Sequence, residues 1–329
     1  MKTLFPGYYC QNEHECKSFW KDCQFVLDTN VLLDIYRYSQ KSTLEILDVL
    51  KKVGNRLWIP YQVAKEYHNN LYLTIKKQSE TYKDTIKKIE DLQQIIAVKR
   101  GHPFLDESDI ADFNSSCNDF KVKLEHQKKE VRLSLLENKY KDILADLLSG
   151  KINTKPTEDK LEGLRKEGKQ RYEKKIPPGY MDANKSNDEM YGDFILWYEV
   201  KEYAKQNKKD IIFVTNDQKE DWFLRVDGLT ICARPELIAE FQQDTAQKIY
   251  ICNLERFMEG LEKYVELSIT QPVVAEIQEQ QQIKQDERTE AGGDDLNFSR
   301  GETSTLQGSQ SAYDNVISLL DDITSVDNS

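Results

Sequence analysis

Two aspartates stand just beyond apolar runs: Asp28 closes Gln24-Phe25-Val26-Leu27, and Asp217 follows Ile211-Ile212-Phe213-Val214 through Thr215 and Asn216. A short apolar run between polar residues is the pattern of a buried central strand, and the carboxyl ends of parallel strands are where α/β sheets bind ligands. Carboxylates brought to one sheet edge repel each other unless a cation neutralises them, so the pair points to a hard divalent metal with oxygen ligands, Mg2+ or Mn2+. Two helix-compatible segments offer further acids, Glu66 in Pro60-Tyr-Gln-Val-Ala-Lys-Glu66 and Asp193 in Gly192-Asp-Phe-Ile-Leu-Trp197. Each residue alone has an ordinary explanation: Asp28 or Asn30 can cap the next helix, and Glu66 or Asp193 can be a cap or an ion-pair partner. Together the acids suit direct hydrolysis, in which one or two cations lower the pKa of water, orient it and neutralise the leaving oxygen. Such chemistry needs no covalent nucleophile, and the four histidines, His14, His68, His102 and His126, show no nucleophile–base arrangement in sequence.

The elements that must carry these residues follow from periodicity. Candidate strands lie at Gln24–Asp28, Leu57–Ile59, Asp210–Thr215, Leu229–Cys232 and Ile249–Cys252. Each precedes a helix-compatible segment, which implies a parallel α/β sheet. Between the second and third strands, apolar residues from Leu71 through Ile75, Tyr82, Ile86, Ile89 and Leu92 to Ile96 recur at three- and four-residue steps, predicting one long amphipathic helix. After a break at Gly101-His102-Pro103, a second periodic run from Ile110 to Leu148 predicts its antiparallel partner. Residues 71–175 hold 23 basic and 19 acidic side chains, with paired lysines at 76–77, 87–88, 128–129 and 174–175. Mixed charge on solvated helix faces is the ordinary explanation, and the functional alternative is an arm that touches phosphates.

The chain has 329 residues, 39% hydrophobic and 31% charged, with a net charge of −11. No run approaches the roughly 18 apolar residues of a membrane span, and residues 1–21 lack a secretory core, so a cytoplasmic protein with no membrane partner is expected. The negative charge is uneven: residues 270–329 carry three basic and twelve acidic residues, leaving 43 basic against 45 acidic in the rest. From residue 268 the polar, acidic composition predicts a disordered tail, with a short apolar exception at Ala312–Ile323. Six cysteines are scattered, and Cys10, His14, Cys16 and Cys23 fit no compact zinc knuckle, so reduced thiols are expected. Gly163-Leu-Arg-Lys-Glu-Gly168-Lys169 has phosphate-loop spacing, but Gln170 replaces the Ser or Thr that would hold Mg2+ and no strand precedes it.

Four blocks carry a resemblance: Phe25-Val-Leu-Asp-Thr-Asn30, Ile59-Pro-x-x-Val63-x-x-Glu66, Gly192-Asp193-Phe-Ile-Leu-Trp197 and Phe213-Val-Thr-Asn-Asp217. In these blocks and their order the chain resembles PIN-domain nucleases, most of all bacterial PIN-like proteins with a long helical insertion, whose Pro-Pro-Gly-Tyr stretch is similar to Pro177–Tyr180. The resemblance implies a three-layer α/β/α fold with a central parallel sheet and a long helical hairpin insertion. It divides the chain into an N-terminal extension (1–23), a PIN-like nuclease domain (24–70 and 176–267), a helical insertion (71–175) and the acidic tail (268–329). It further implies metal-dependent cleavage of RNA, or in relatives of DNA, with Asp28, Glu66, Asp193 and Asp217 as catalytic and Mg2+- or Mn2+-binding residues. Asn30, Thr215, Asp188 and Asp221 are secondary candidates. A protein partner bound through the insertion or the tail, in a bacterial defence or toxin setting, is the alternative in which cleavage is conditional.

Overall fold

The computed structural model describes residues 1, 5–9, 13–97, 105–133, 137–185, 187–226 and 229–292. In chain order the elements are α1 (Glu13–Asp22), β1 (Gln24–Leu27), α2 (Thr29–Asp34), α3 (Gln40–Val53), β2 (Leu57–Trp58) and α4 (Tyr61–Ala97). Then come α5 (Glu107–Leu133), α6 (Lys139–Leu148), α7 (Glu158–Glu173), α8 (Gly192–Asn207) and β3 (Ile211–Val214). The chain continues through β4 (Phe223–Val226), β5 (Leu229–Ala233), α9 (Pro235–Thr245), β6 (Ile249–Cys252), α10 (Leu254–Val265) and α11 (Gln271–Gly292).

A central parallel sheet has the order β2-β1-β3-β6. Every residue of β1 and β3 is buried, as expected of parallel strands covered on both faces. The register sets Val26 opposite Phe213 and Phe213 opposite Ile251, and sets Phe25 opposite Ile212 and Ile212 opposite Tyr250. On one face, Trp20 of α1 and Phe257 of α10 pack on Phe25 with ring centroids 6.0 and 5.2 Å away. On the other, Phe213 meets Trp222 at 5.2 Å, and Trp197 of α8 meets Trp222 and Phe241 of α9 at 6.0 and 5.6 Å. The result is the α/β/α sandwich expected from the sequence. Because β1 pairs with β2 on one side and β3 on the other, a crevice opens beyond the carboxyl ends of β1 and β3.

Several expectations are corrected. Leu229–Cys232 does not join the parallel sheet; β5 pairs antiparallel with β4. The physical reason is visible in the sequence: Leu229 and Ile231 alternate with Thr230 and Cys232, and both apolar residues are exposed, whereas a strand covered on both faces reads as a continuous apolar run. The expected helix from Ile110 to Leu148 is two helices, α5 and α6, and Asn138 caps the second by accepting a hydrogen bond from Lys141 N at 3.0 Å. The break at Gly101-His102-Pro103 lies outside the described residues. Bonds from Gln93 to Asn114 (2.9 Å) and from Lys121 to Glu90 (3.8 Å) show α5 running antiparallel to α4.

The tail prediction is corrected for residues 268–292. Val273 and Ile277 of α11 are buried in the main core, Glu276 accepts bonds from Ser39 and Ser42, and Thr270 bonds Glu45. A short stripe at three- and four-residue spacing was masked by the polar composition around it. The rest of the predicted disordered tail, including residues 312–323, lies outside the described residues. Phe19 and Trp20 of the supposed N-terminal extension are also buried in the core. The Gly163–Lys169 segment lies inside α7, where its amides are spent on helix bonds, so no phosphate loop exists there. Among the described residues no helix is long and apolar enough to cross a membrane, and Cys16, Cys23, Cys117, Cys232 and Cys252 are free thiols.

Candidate active site at the carboxyl ends of β1 and β3

Asp28 leaves β1 in extended conformation (φ −78°, ψ 161°) and caps α2, its Oδ1 accepting from Thr29 N at 2.6 Å. Asp28, rather than Asn30, is therefore the cap. The cap uses one oxygen; Oδ2 accepts from Asn30 Nδ2 and Thr215 Oγ1, both at 2.6 Å. Thr215 also accepts from Asp217 N at 3.0 Å. One buried hydroxyl thus ties the residue after β1 to the turn after β3. Asn30 completes the link, its amide nitrogen 3.0 Å from Thr215 Oγ1 and its oxygen accepting from Asn216 N at 2.8 Å. Sheet backbone sets these distances, since Asp28 N bonds Val214 O and Thr215 N bonds Cys252 O, each at 2.9 Å.

Helix ends bring in the other two acids. Glu66 lies in the early turns of α4; its carboxylate accepts from Thr29 Oγ1 at 3.0 Å and from Gln62 Nε2, one turn earlier, at 2.6 Å. The first turn of α4 is itself fixed by buried Glu199, which accepts from Tyr61 N and Gln62 N at 2.5 and 3.2 Å. Asp193 stands in the first turn of α8. Its neighbour Gly192 is where Glu66 comes closest: a Cβ there would fall 2.5 Å from Glu66 Oε1. The structure therefore brings Asp28, Glu66, Asp193 and Asp217 together, with Asn30 and Thr215 joining them.

Charge in this crevice is strongly unbalanced. Burial pushes the Asp28 carboxyl from 3.8 up to about 7; the Thr215 bond pulls it down, while Glu66 and Asp217 push it further up. Burial likewise raises Asp193 from 3.8 to about 8, opposed by Lys219 and reinforced by Asp217, Asp182 and Asp28. Lys219 sits among them, with Nζ 2.9 Å from Asp182, 3.3 Å from Asp217 and 3.4 Å from Asp193. Burial lowers its pKa, but the three aspartates more than offset that and hold the ammonium above the ordinary lysine value.

Sequence reasoning missed Lys219 and Asp182. Signals existed: Lys219 is two residues beyond Asp217, and Asp182 is two residues beyond the Pro177–Tyr180 stretch already singled out. Asp221, ranked as an extra acid for the cluster, is instead fully buried beneath the neighbouring turn, where its Oδ2 accepts from Gly179 N and Met181 N at 2.9 and 3.1 Å. Gly179 needs to be glycine for that turn, having φ +95°. The side chain of Asp188 lies outside the described residues.

Among the described residues no three His, Cys, Asp or Glu side chains converge closely enough to hold a metal ion as they stand. The donor set nevertheless fits a hard divalent cation in kind, being all carboxylate oxygen, with two acids held well above their ordinary pKa by burial and by the neighbouring carboxylates.

A family model described as a PIN-like domain matches residues 24–237, nearly two thirds of the chain. The chain belongs to the PIN-like domain family. The matched span begins at β1 and runs through α4, α8, β3 and the hairpin, so all four acids lie within it. PIN-like domains are in general nucleases, which makes nucleic acid the substrate class and phosphodiester hydrolysis the reaction class. No curated protein and no solved structure matches the chain.

Proposed function

We propose that this PIN-like protein is a metal-dependent endoribonuclease whose site is Asp28, Glu66, Asp193 and Asp217. The observation that carries the reading is the Thr215 bridge, which joins Asp28 to the Asp217 backbone at the sheet's switch point with Glu66 and Asp193 facing it. Mg2+ or Mn2+ held by the four carboxylates would supply activation of water and neutralisation of charge at the phosphodiester.

The chain's own residues do the positioning. Thr29 N, Asn30 and Thr215 fix both oxygens of Asp28, so its carboxylate presents one orientation to the crevice. Thr29 and Gln62 each take one oxygen of Glu66, limiting its rotation. Lys219 N holds Asp217 Oδ1 at 2.8 Å, leaving Oδ2 on the crevice side near Asp193. Asn216, bonded to Asp34 at 2.8 Å, braces the turn from behind.

Residues 24–70 and 176–267 are read as the catalytic portion and 71–175 as an insertion that guides substrate, its paired lysines supplying phosphate contacts. A protein partner on the insertion or the acidic tail, in a bacterial defence or toxin setting, accords with the resemblance in the sequence. The test uses matched labelled RNA and DNA strands with Mg2+, Mn2+ or chelator. Internal cleavage of RNA that requires metal supports the reading; preferential cleavage of DNA moves the assignment to a DNA nuclease; and cleavage of neither under any metal defeats it.

A further inference from the structure

Lys219 is an unexpected occupant for a pocket built to attract a cation. Its ammonium bonds Asp182 Oδ2 at 2.9 Å and reaches Asp217 Oδ2 at 3.3 Å and Asp193 Oδ2 at 3.4 Å. Two of these three are proposed metal ligands; Asp182 is not. The lysine is also held at its root: its amide donates to Asp217 Oδ1 at 2.8 Å, and its carbonyl accepts from Trp222 N and Phe223 N at 3.1 Å. Asp182 is anchored independently, since the turn Tyr180–Asp182 hangs from buried Asp221 and Asp182 also takes Lys185 at 2.8 Å. The ammonium therefore stands between a carboxylate outside the proposed ligand set and two inside it, and its shortest contact is to the one outside.

We infer that Lys219 is a tethered counter-cation that holds Asp193 and Asp217 together without metal and must withdraw onto Asp182 when a divalent cation enters. An ammonium and a divalent cation seated on the same Oδ2 atoms of Asp193 and Asp217 compete for the same lone pairs and repel each other, so the tethered ammonium is the one to give way. Withdrawal costs little in geometry, for the contact to Asp182 is already made. Lys219 thereby acts as a positioning residue that sets how tightly the site takes metal, with Asp182 as its second seat. This inference rests on the metal reading of the site proposed above.

The test is calorimetric titration of the full chain with Mn2+, using wild type, Lys219→Gln, Lys219→Arg, Asp182→Asn and the double variant Lys219→Gln/Asp182→Asn, alongside thermal unfolding in chelator. Lys219→Gln is expected to bind Mn2+ about tenfold more tightly, since one unit of positive charge leaves the neighbourhood of the ion, and to melt earlier without metal. Lys219→Arg keeps the charge and is expected within about threefold of wild type on the same ground. Asp182→Asn is expected to weaken binding in the presence of Lys219 and to have a much smaller effect in its absence, because only a lysine needs the second seat; a double-mutant cycle reads that coupling directly. Unchanged or weaker Mn2+ binding by Lys219→Gln overturns the inference even though the metal reading stands. An equal effect of Asp182→Asn in both backgrounds also overturns it, as that is the signature of long-range charge alone. Failure of wild type and every folded variant to bind Mn2+ removes both the inference and the metal reading.

Discussion

The two halves of the crevice are built by different means. Asp28 and Asp217 follow buried parallel strands, and backbone bonds of the sheet, together with the Thr215 hydroxyl, fix the separation of their chain segments. Glu66 and Asp193 ride on the early turns of two helices, held by side chains: Thr29 and Gln62 on one, Trp222 and Lys219 on the other. Position in the first half is a property of the sheet, and disturbing it disturbs the fold. In the second half an acid can be displaced while the core stays intact, because flexible side chains absorb the change. The strand half thus supplies the rigid reference, and the helix half supplies adjustability.

The comparison can be broken at several points. The largest effect is expected from Asp28→Asn or Asp217→Asn, with cleavage falling on the order of 100- to 1000-fold as the charge complementary to the reaction is lost. Melting temperature of the metal-free protein should change little for Asp28→Asn, since relief of a buried charge that its neighbours repel is offset by an amide nitrogen set against donors that the carboxylate had accepted. Next comes Thr215→Val, which removes the hydroxyl shared by both strand ends. It should cost about 1–3 kcal/mol in denaturant unfolding, because buried Asp28 Oδ2 loses a donor, and roughly 10- to 100-fold in activity through lost orientation. Loss of activity with no loss of stability would show that the strand half is not the rigid one.

Gly192→Ala sharpens the contrast from the other side. The new methyl would fall 2.5 Å from Glu66 Oε1, the far end of a flexible side chain, so Glu66 should swing away and the fold should lose less than about 1 kcal/mol. Activity should fall about tenfold, a modest misplacement cost for a group held by side chains. Unfolding of this variant would place the helix half among the structural constraints instead.

The smallest effect is on pH dependence. Asp28 and Asp193 have folded pKa values of about 7 and about 8 against an ordinary 3.8, so the folded chain holds their protons more tightly than the unfolded one. Their contribution to metal-free stability is therefore complete below about pH 4 and is lost as pH rises through 7 and 8. Metal must displace the same protons, so Mn2+ affinity should climb over that interval. Melting curves in chelator and in Mn2+ should diverge between pH 6 and 8; parallel curves would contradict the shifts.

How much was legible in the sequence follows the same division. Asp28 and Asp217 could be placed from local pattern alone, because a continuous apolar run ending in an acid reports both the strand and its carboxyl end. Glu66 and Asp193 needed the family's block order, since a helix start facing the site and one facing solvent have the same local sequence. Lys219 and Asp182 were invisible as partners because their pairing spans a turn whose course is set by buried Asp221 and positive-φ Gly179. The tail misled for a related reason: Val273 and Ile277 make a stripe too short to outweigh the polar residues around them, yet it docks the first turns of α11 on the core. In β5 the alternating pattern was present and pointed to a partly exposed strand, but the apolar content alone suggested the central sheet.

The central claim, that four carboxylates at the ends of β1 and β3 and of α4 and α8 form a metal-dependent phosphodiester-cleaving site, is tested most directly by one titration. Labelled RNA is incubated with wild type and with Asp28→Asn purified in parallel, over increasing Mn2+, and internal cleavage is followed with time. The account predicts cleavage by wild type that begins from nothing in chelator, rises with Mn2+ to saturation and is lost by about 100-fold or more in the variant. Equal cleavage by the two proteins, or cleavage by wild type that persists unchanged in chelator, would contradict it.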